Sequence, residues 1–331
     1  IYMRLLGKTN MKVNRVGFGG IPIQRITQEE TNKVINELID KNVNFIDTAR
    51  AYTISEEYIG NAIEGKREKF FIATKSMARD YESMKQDIEI SLKNLKTDYI
   101  DLYQIHNLKP EEYKTIFDEN KAYKVLLEAK EEGKIKYIGI TSHSLETIEK
   151  SIEDEKFSTI QFPYNIIEDQ ADEVFKKANK KDIGIIVMKP LAGGADAKLA
   201  IKYILSKDYI DVVIPGMESI EQVRENVSVL QDTNITKDDE LKIQEIRNIM
   251  GKRFCRRCEY CLPCPLKINI PQNFLLEGYY ARYNLKDWAK ERYKSLEVKA
   301  SACVECGLCE TKCPYELPIR EMLKEVSSKL G

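Results

Sequence analysis

An alternation constrains this chain more than any other feature. Eight short, apolar and largely β-branched runs occur at Val16–Gly20, Asn44–Ile46, Phe70–Thr74, Tyr99–Ile105, Ile135–Ile140, Thr159–Phe162, Ile183–Met188 and Val212–Ile214. Such runs suit parallel strands buried on both faces. Stretches with helical spacing lie between them. Thr27–Lys41 opens on a Thr with Glu30 three residues later, a capping-box signature. Tyr81–Leu95 places Met84, Ile88, Leu92 and Leu95 on one face, and Glu218–Leu230 and Asp238–Met250 read similarly. Eight strand–helix units within about 230 residues predict an α/β fold of the (β/α)8 TIM-barrel type. A doubly wound sheet is the alternative, but no G-x-G-x-x-G follows the first strand. Met3 to Val16 reads as a hairpin around Lys8-Thr9-Asn10 ahead of the barrel. The predicted boundary follows Met250, where Gly251 ends a helix, giving a barrel over 1–250 and a second domain over 251–331.

The second domain has its own chemistry. All eight cysteines lie between 255 and 313, and the only histidines are His106 and His143. A secreted disulfide scaffold would be short and would carry cysteine throughout. Basic and acidic residues nearly cancel, 52 against 53, so no strong field recommends nucleic acid or an anionic membrane as partner. No run approaches the roughly 18 apolar residues of a membrane span, and the opening Ile-Tyr-Met-Arg does not resemble a signal peptide. The expected location is the cytoplasm. Residues 251–331 hold fifteen basic and ten acidic residues, a net of +5 that leaves −6 elsewhere. That excess either compensates anionic metal clusters or forms a docking face for an acidic redox partner.

The cysteine runs are Cys255-x2-Cys258-x2-Cys261-x2-Cys264-Pro265 and Cys303-x2-Cys306-x2-Cys309-x3-Cys313-Pro314. Three thiolates at three-residue intervals wrap one cubane cluster, and in two-cluster ferredoxins the Cys before Pro serves the other cluster. Zinc ribbons use two-cysteine knuckles instead. The prediction is two 4Fe–4S clusters with crossed ligation: Cys255, Cys258, Cys261 and Cys313 on one, Cys303, Cys306, Cys309 and Cys264 on the other. The segments Tyr279–Tyr283 and Trp288–Tyr293 between the runs look helical. They resemble the α-helical ferredoxin type, and their aromatic residues read as core rather than electron relays.

In barrels of this kind catalytic groups sit where strands end. Asp47 and Tyr52 follow the second strand, Lys75 ends the third and His106 ends the fourth. A free Tyr has a pKa near 10 and is a poor proton donor at neutral pH. A nearby ammonium lowers that pKa, a carboxylate fixes the ammonium, and a neutral imidazole can orient a carbonyl. Singly, Asp47 could cap a helix and Lys75 could be a solvated strand end; four such residues on successive strand ends are harder to dismiss.

This pattern, Asp47-Thr48-Ala49 with Tyr52 and Ser55-Glu56, then Lys75 and His106, resembles the aldo-keto reductases over roughly residues 3 to 230. The resemblance implies a catalytic tetrad of Asp47, Tyr52, Lys75 and His106, with Tyr52 as general acid and a nicotinamide cofactor, NAD(P)(H), across the barrel mouth. It implies that Gly19, Gly20, Ile21, Thr141, Ser142, Gln161, Tyr164 and Asn165 surround the nicotinamide. Pro190, Leu191, Gly193 and Gly194, then Gly216, Glu225 and Asn226, would hold pyrophosphate and adenosine. The sequence departs from the family where Met188 stands for an aromatic platform and Lys189 for a small polar residue. Lys189 could meet a cofactor phosphate or be an ordinary strand-end lysine. Gly216 and Gln222, with Glu218 nearby, replace the basic pair of members that prefer a 2′-phosphate.

A barrel of this type followed by two clusters resembles a branch of the family with a C-terminal ferredoxin-like domain. A cluster exchanges single electrons and a nicotinamide a hydride, so coupling them needs a flavin or a radical intermediate. The leading expectation is an oxidoreductase acting on a small carbonyl or alcohol through Tyr52, with the clusters as conduit. A flavin-mediated reductase holding FMN and fed by a ferredoxin- or flavodoxin-like partner is the alternative. A non-catalytic electron-transfer protein is the third reading.

Overall fold

The computed structural model describes residues 2–192, 196–257, 259–282 and 285–331. Strands β1 (Met3–Leu5) and β2 (Lys12–Asn14) pair antiparallel, forming the expected hairpin. Eight parallel strands follow: β3 (Phe18–Gly19), β4 (Phe45–Asp47), β5 (Phe71–Ser76), β6 (Ile100–Ile105), β7 (Ile135–Thr141), β8 (Thr159–Pro163), β9 (Gly184–Met188) and β10 (Val212–Val213). Each pairs with its neighbours in chain order. Parallel bridges Val16–Val213 and Gly19–Gly216 link the first to the last and complete the barrel. A glycine is required at this seam, because a Cβ on Gly19 would lie 2.7 Å from the Ile214 carbonyl oxygen. Hairpin residues Leu6, Met11 and Val13 share one apolar cluster with Phe45, Ala73, Leu102, Ile186 and Val212 of the barrel strands, so the hairpin is part of the barrel core.

The crossover helices are α1 (Gln28–Asp40), α2 (Ser55–Ala62), α3 (Tyr81–Asn94), the short α4 (Pro110–Tyr113), α5 (Ala122–Glu131), α6 (Leu145–Asp154), α7 (Asp172–Lys180), α8 (Ala197–Leu205) and α9 (Ile220–Ser228). The capping box forms as read: Glu30 N–H donates to Thr27 Oγ1 at 3.1 Å, and Thr27 N–H to the Glu30 carboxylate at 2.7 Å. It satisfies two of the donors a helix start leaves orphaned. α1 then buries Val34, Ile35 and Leu38.

The remaining helices are α10 (Lys237–Met250), α11 (Ile270–Ala281), α12 (Lys286–Lys294), α13 (Leu308–Thr311) and α14 (Ile319–Leu330). They form a second compact unit that starts at Thr236 and also takes in residues 166–168 and 191–196. α10, placed with the barrel when the boundary was read at 250, thus groups with this unit. Gly251 caps α10 in a right-handed conformation, φ −59°, so glycine's conformational freedom is not what stops the helix. Ile268, Phe274, Leu276, Tyr293, Leu317, Leu323 and Val326 build its core. Tyr293 is buried as expected, whereas Trp288 is partly exposed and meets Tyr279 edge-on at 4.9 Å. No helix among the described residues is long and apolar enough to cross a membrane.

Candidate active site and cluster cavities

Three strand ends, those of β4, β5 and β6, bring the predicted tetrad together. Lys75, on β5, is buried with Asp47 of β4. Its Nζ donates to Asp47 Oδ1 and, at 2.9 Å, to the Thr48 carbonyl. The same ammonium lies 5.0 Å from the centroid of the Tyr52 ring. Burial disfavours the charge on Lys75, but Asp47 and Tyr52, both within electrostatic and hydrogen-bonding reach, outweigh it and hold the lysine protonated above its ordinary range. His106 meets the Tyr52 ring edge-on, with centroids 6.1 Å apart. Burial, reinforced by the positive charges of Lys75, Arg79 and Lys189, pushes its pKa down to about 3, so its imidazole is neutral. His106 Nδ1 is buried without a hydrogen-bond partner among the described residues. A neutral ring with an unsatisfied nitrogen, beside a tyrosine and a locked ammonium, is a donor set that fits a carbonyl oxygen.

Sequence reading missed part of this cluster. Gln104 and Gln161 both donate to Asp47 Oδ2, at 2.9 and 3.0 Å, and Gln161 also donates to the Gln104 amide oxygen at 3.0 Å. Asp47 is thereby held by an ammonium and two amides. Gln104 precedes His106 by two residues on β6 and so points the same way, a period-2 signal available in the sequence. Arg79 is a second omission: its guanidinium donates to the His106 and Asn107 carbonyls at 2.7 and 3.1 Å, fixing the end of β6. His143, unassigned from sequence, contacts Asn107 Oδ1 through Nδ1 at 2.8 Å and holds the same turn.

The residues singled out for a dinucleotide lie on strands, in the loops that follow them and on α9, and are unevenly engaged. Gly20 N–H donates to the Asp47 carbonyl at 2.8 Å, and Ile21 is exposed beside it. The Thr141 hydroxyl accepts from Asn107 N–H at 2.8 Å, and the Ser142 hydroxyl donates to the Leu108 carbonyl at 2.6 Å. Tyr164 faces inward: its hydroxyl bonds Asp172 and its ring stacks on Tyr203, so it belongs to the core. Met188 is half-buried at the end of β9; Lys189 follows with φ +55°, its carbonyl accepting from Asn165 at 3.1 Å. Pro190 is buried. Leu191 groups with the second unit, and Gly193 and Gly194 lie outside the described residues. Gly216 packs on Pro22, where a Cβ would lie 2.7 Å from Cγ. On α9, Gln222 accepts from Glu218 N–H at 2.8 Å, Asn226 is buried, and the Glu225 carbonyl accepts from Ser228. Glu218 itself is paired with Arg25 at 3.2 Å.

The cysteines of the second unit line two cavities. Cys264, Cys303, Cys306 and Cys309 line one of about 120 Å³, together with Arg320 and apolar side chains. Cys255 and Cys313 line the other, with Arg256 and Tyr315, and Cys261 borders both. Cys258 lies outside the described residues. No three metal-binding side chains among the described residues converge as ligands of one ion would. In a cubane each thiolate takes a different iron, which suits cysteines spread around a cavity wall. Each run therefore lends its last cysteine to the other's cavity. Arg320 and Arg256 place positive charge where anionic clusters would sit.

Comparison with known proteins agrees with both halves. The model of the aldo/keto reductase family matches residues 15–198, and that of a 4Fe-4S dicluster domain matches 254–318. L-galactose dehydrogenase of Arabidopsis thaliana is 25% identical over 303 residues, 76% of this chain and 94% of that one. Aldo-keto reductase YhdN of Bacillus subtilis is 33% identical over 188 residues, 51% of this chain and 55% of that one. The holo form of an aldo-keto reductase from Bacillus halodurans superposes with a TM-score of 0.64 at 24% identity, covering 74% of this chain and 95% of its own, a likeness of fold. Barrel, strand-end residues and cysteine cavities together place this oxidoreductase in the aldo/keto reductase family, with a 4Fe-4S dicluster domain at its C-terminal end.

Proposed function

We propose that the barrel interconverts a small carbonyl compound and its alcohol with NAD(P)(H), and that two 4Fe–4S clusters exchange single electrons with this site through a flavin or radical relay that splits the hydride's two electrons. The observation that carries the reading is the buried Lys75 ammonium, paired with Asp47 beside Tyr52 and the neutral His106. In reduction Tyr52 donates its hydroxyl proton to the carbonyl oxygen. Lys75 stabilises the phenolate left behind, and Asp47 keeps that ammonium charged and in place. His106, unable to protonate near neutrality, orients the oxygen by hydrogen bonding. A bound nicotinamide would supply the hydride to the carbonyl carbon, held by Gly20, Ile21, Thr141, Ser142, Gln161, Met188, Lys189 and Pro190, with Gly216, Gln222, Glu225 and Asn226 toward its adenosine. Cys255, Cys258, Cys261 and Cys313 would hold one cluster and Cys264, Cys303, Cys306 and Cys309 the other, each supplying one-electron exchange.

Tyr52→Phe tests the proton-donor role. Turnover with NADH or NADPH falls at least about 100-fold while folding and iron content stay at wild-type levels. Turnover at the wild-type rate refutes it. Anaerobic addition of either nucleotide tests the coupling: it bleaches the broad iron–sulfur absorption, and bleaching by dithionite alone would overturn that part of the reading.

A further inference from the structure

Behind the tetrad lies a second buried polar cluster that the reaction as written does not use. Glu56, on α2, is buried, and its carboxylate accepts four hydrogen bonds. Oε1 takes them from Thr74 Oγ1 at 2.7 Å and Ser91 Oγ at 2.8 Å; Oε2 takes them from Asn94 at 3.2 Å and Arg50 at 3.3 Å. Arg50 Nε reaches Asp87 of α3 at 3.3 Å, and Asp87 in turn accepts from the Ser76 hydroxyl. Thr74 and Ser76 flank Lys75 on β5. Alternate strand residues face opposite ways, so these hydroxyls point to the helix layer while Lys75 points into the barrel. Arg50 N–H also donates to the Lys75 carbonyl at 2.9 Å. Two carboxylates bridged by one guanidinium thus grip the strand of Lys75 on both sides. Arg50 lies two residues before Tyr52 and Glu56 four after it.

Buried ion pairs are weak contributors to stability when apolar packing could replace them, so their retention calls for another use. We propose that the Arg50–Glu56–Asp87 clamp is a positioning device that holds the loop of Tyr52 against the strand of Lys75. It rests on the reading of Tyr52 as proton donor. A shift of about 1 Å in such a pair costs on the order of 100-fold in rate. The groups facing Glu56 are Arg50 from the loop, Thr74 from β5, Asp87, Ser91 and Asn94 from α3, and Tyr103 from β6, whose hydroxyl lies 3.1 Å from Ser91 Oγ. Those facing Tyr52 include Lys75, itself paired with Asp47, and His106, with Lys189 acting on His106.

Glu56→Gln keeps the shape of the side chain and removes its charge. In the full chain with its clusters, kcat falls about 10- to 100-fold while KM stays within about twofold. The alkaline limb of kcat/KM moves up as the ammonium beside the Tyr52 phenolate is displaced. Arg50→Lys keeps the positive charge but lacks the planar fork that bridges two carboxylates; it moves both readouts the same way. A lower melting temperature with an unmoved alkaline limb in both variants would reduce the clamp to a structural element and overturn the proposal. Wild-type turnover by Tyr52→Phe would instead remove the reading on which the clamp rests.

Discussion

Asp47→Asn isolates the charge that keeps Lys75 protonated. The substitution is nearly isosteric and opens no cavity, so its cost is the lost charge and the loss of an acceptor oxygen facing either Lys75 or the Gln104 and Gln161 amides. Lys75 Nζ retains the Thr48 carbonyl at 2.9 Å but loses its carboxylate while staying buried. Removing one partner of such a pair costs about 3–5 kcal/mol. In urea, at an m-value of about 3 kcal/mol/M, the barrel midpoint falls by roughly 1–1.7 M. Circular dichroism follows the whole chain, and the iron–sulfur absorption reports the second unit separately. The pH dependence identifies the cause. In the wild type the folded pKa of Lys75 is raised, so its pairing stabilises fully below the unfolded value of about 10.5 and is lost as pH rises through the folded value. In the variant, burial is no longer outweighed by a carboxylate and the folded pKa drops below the unfolded one. The buried ammonium then destabilises at neutral pH, a penalty relieved as pH rises toward the ordinary lysine range. The stability gap between the two proteins is therefore widest near pH 7 and narrows above about pH 10. A gap under about 1 kcal/mol at pH 7, or one constant to pH 11, would refute the claim that Asp47 holds Lys75 charged.

His106, with its pKa pushed from 6.5 to about 3, stays neutral in NMR titrations down to about pH 4, and kcat/KM shows no acid limb near 6.5 from this residue. Because the unfolded chain binds this proton more readily, stability attributable to His106 is present above about 6.5 and is lost as pH falls toward 3. A His106 transition near 6.5 would contradict its burial among cations. Cys264→Ala removes the cluster seated with Cys303, Cys306 and Cys309, halving the iron and leaving the electron paramagnetic resonance signal of the other cluster unchanged. Loss of the cluster at Cys255 and Cys261 instead would show that each run ligates its own.

Much of the site was legible because it is encoded locally. Asp47, Lys75 and His106 each terminate an apolar run, and strand ends face the barrel mouth whatever the details of packing. The cysteine spacing likewise carries its chemistry within a dozen residues. Period-2 reasoning could also have found Gln104 on the strand of His106. It could not have found Glu56 as a clamp, because its partners Arg50, Thr74, Ser91 and Asn94 come from a loop, a strand and another helix. Nor could a local pattern have shown that Asp172 and Tyr203 draw the side chain of Tyr164 into the core.

The sequence by itself determined the order of strands and helices, the hairpin before them, the strand-end chemistry and the two cysteine runs. Each depends on hydrophobic period, capping or spacing over a few residues. Tertiary structure alone decided that Val16 and Gly19 close the barrel against Val213 and Gly216, that α10 groups with the cluster-bearing unit, and that Glu56 gathers its donors from a loop, a strand and another helix. It also decided that His106 is neutral and Lys75 charged. A buried polar atom must find a partner wherever the fold supplies one, and those partners come from elements far apart in the chain, beyond the reach of any local pattern.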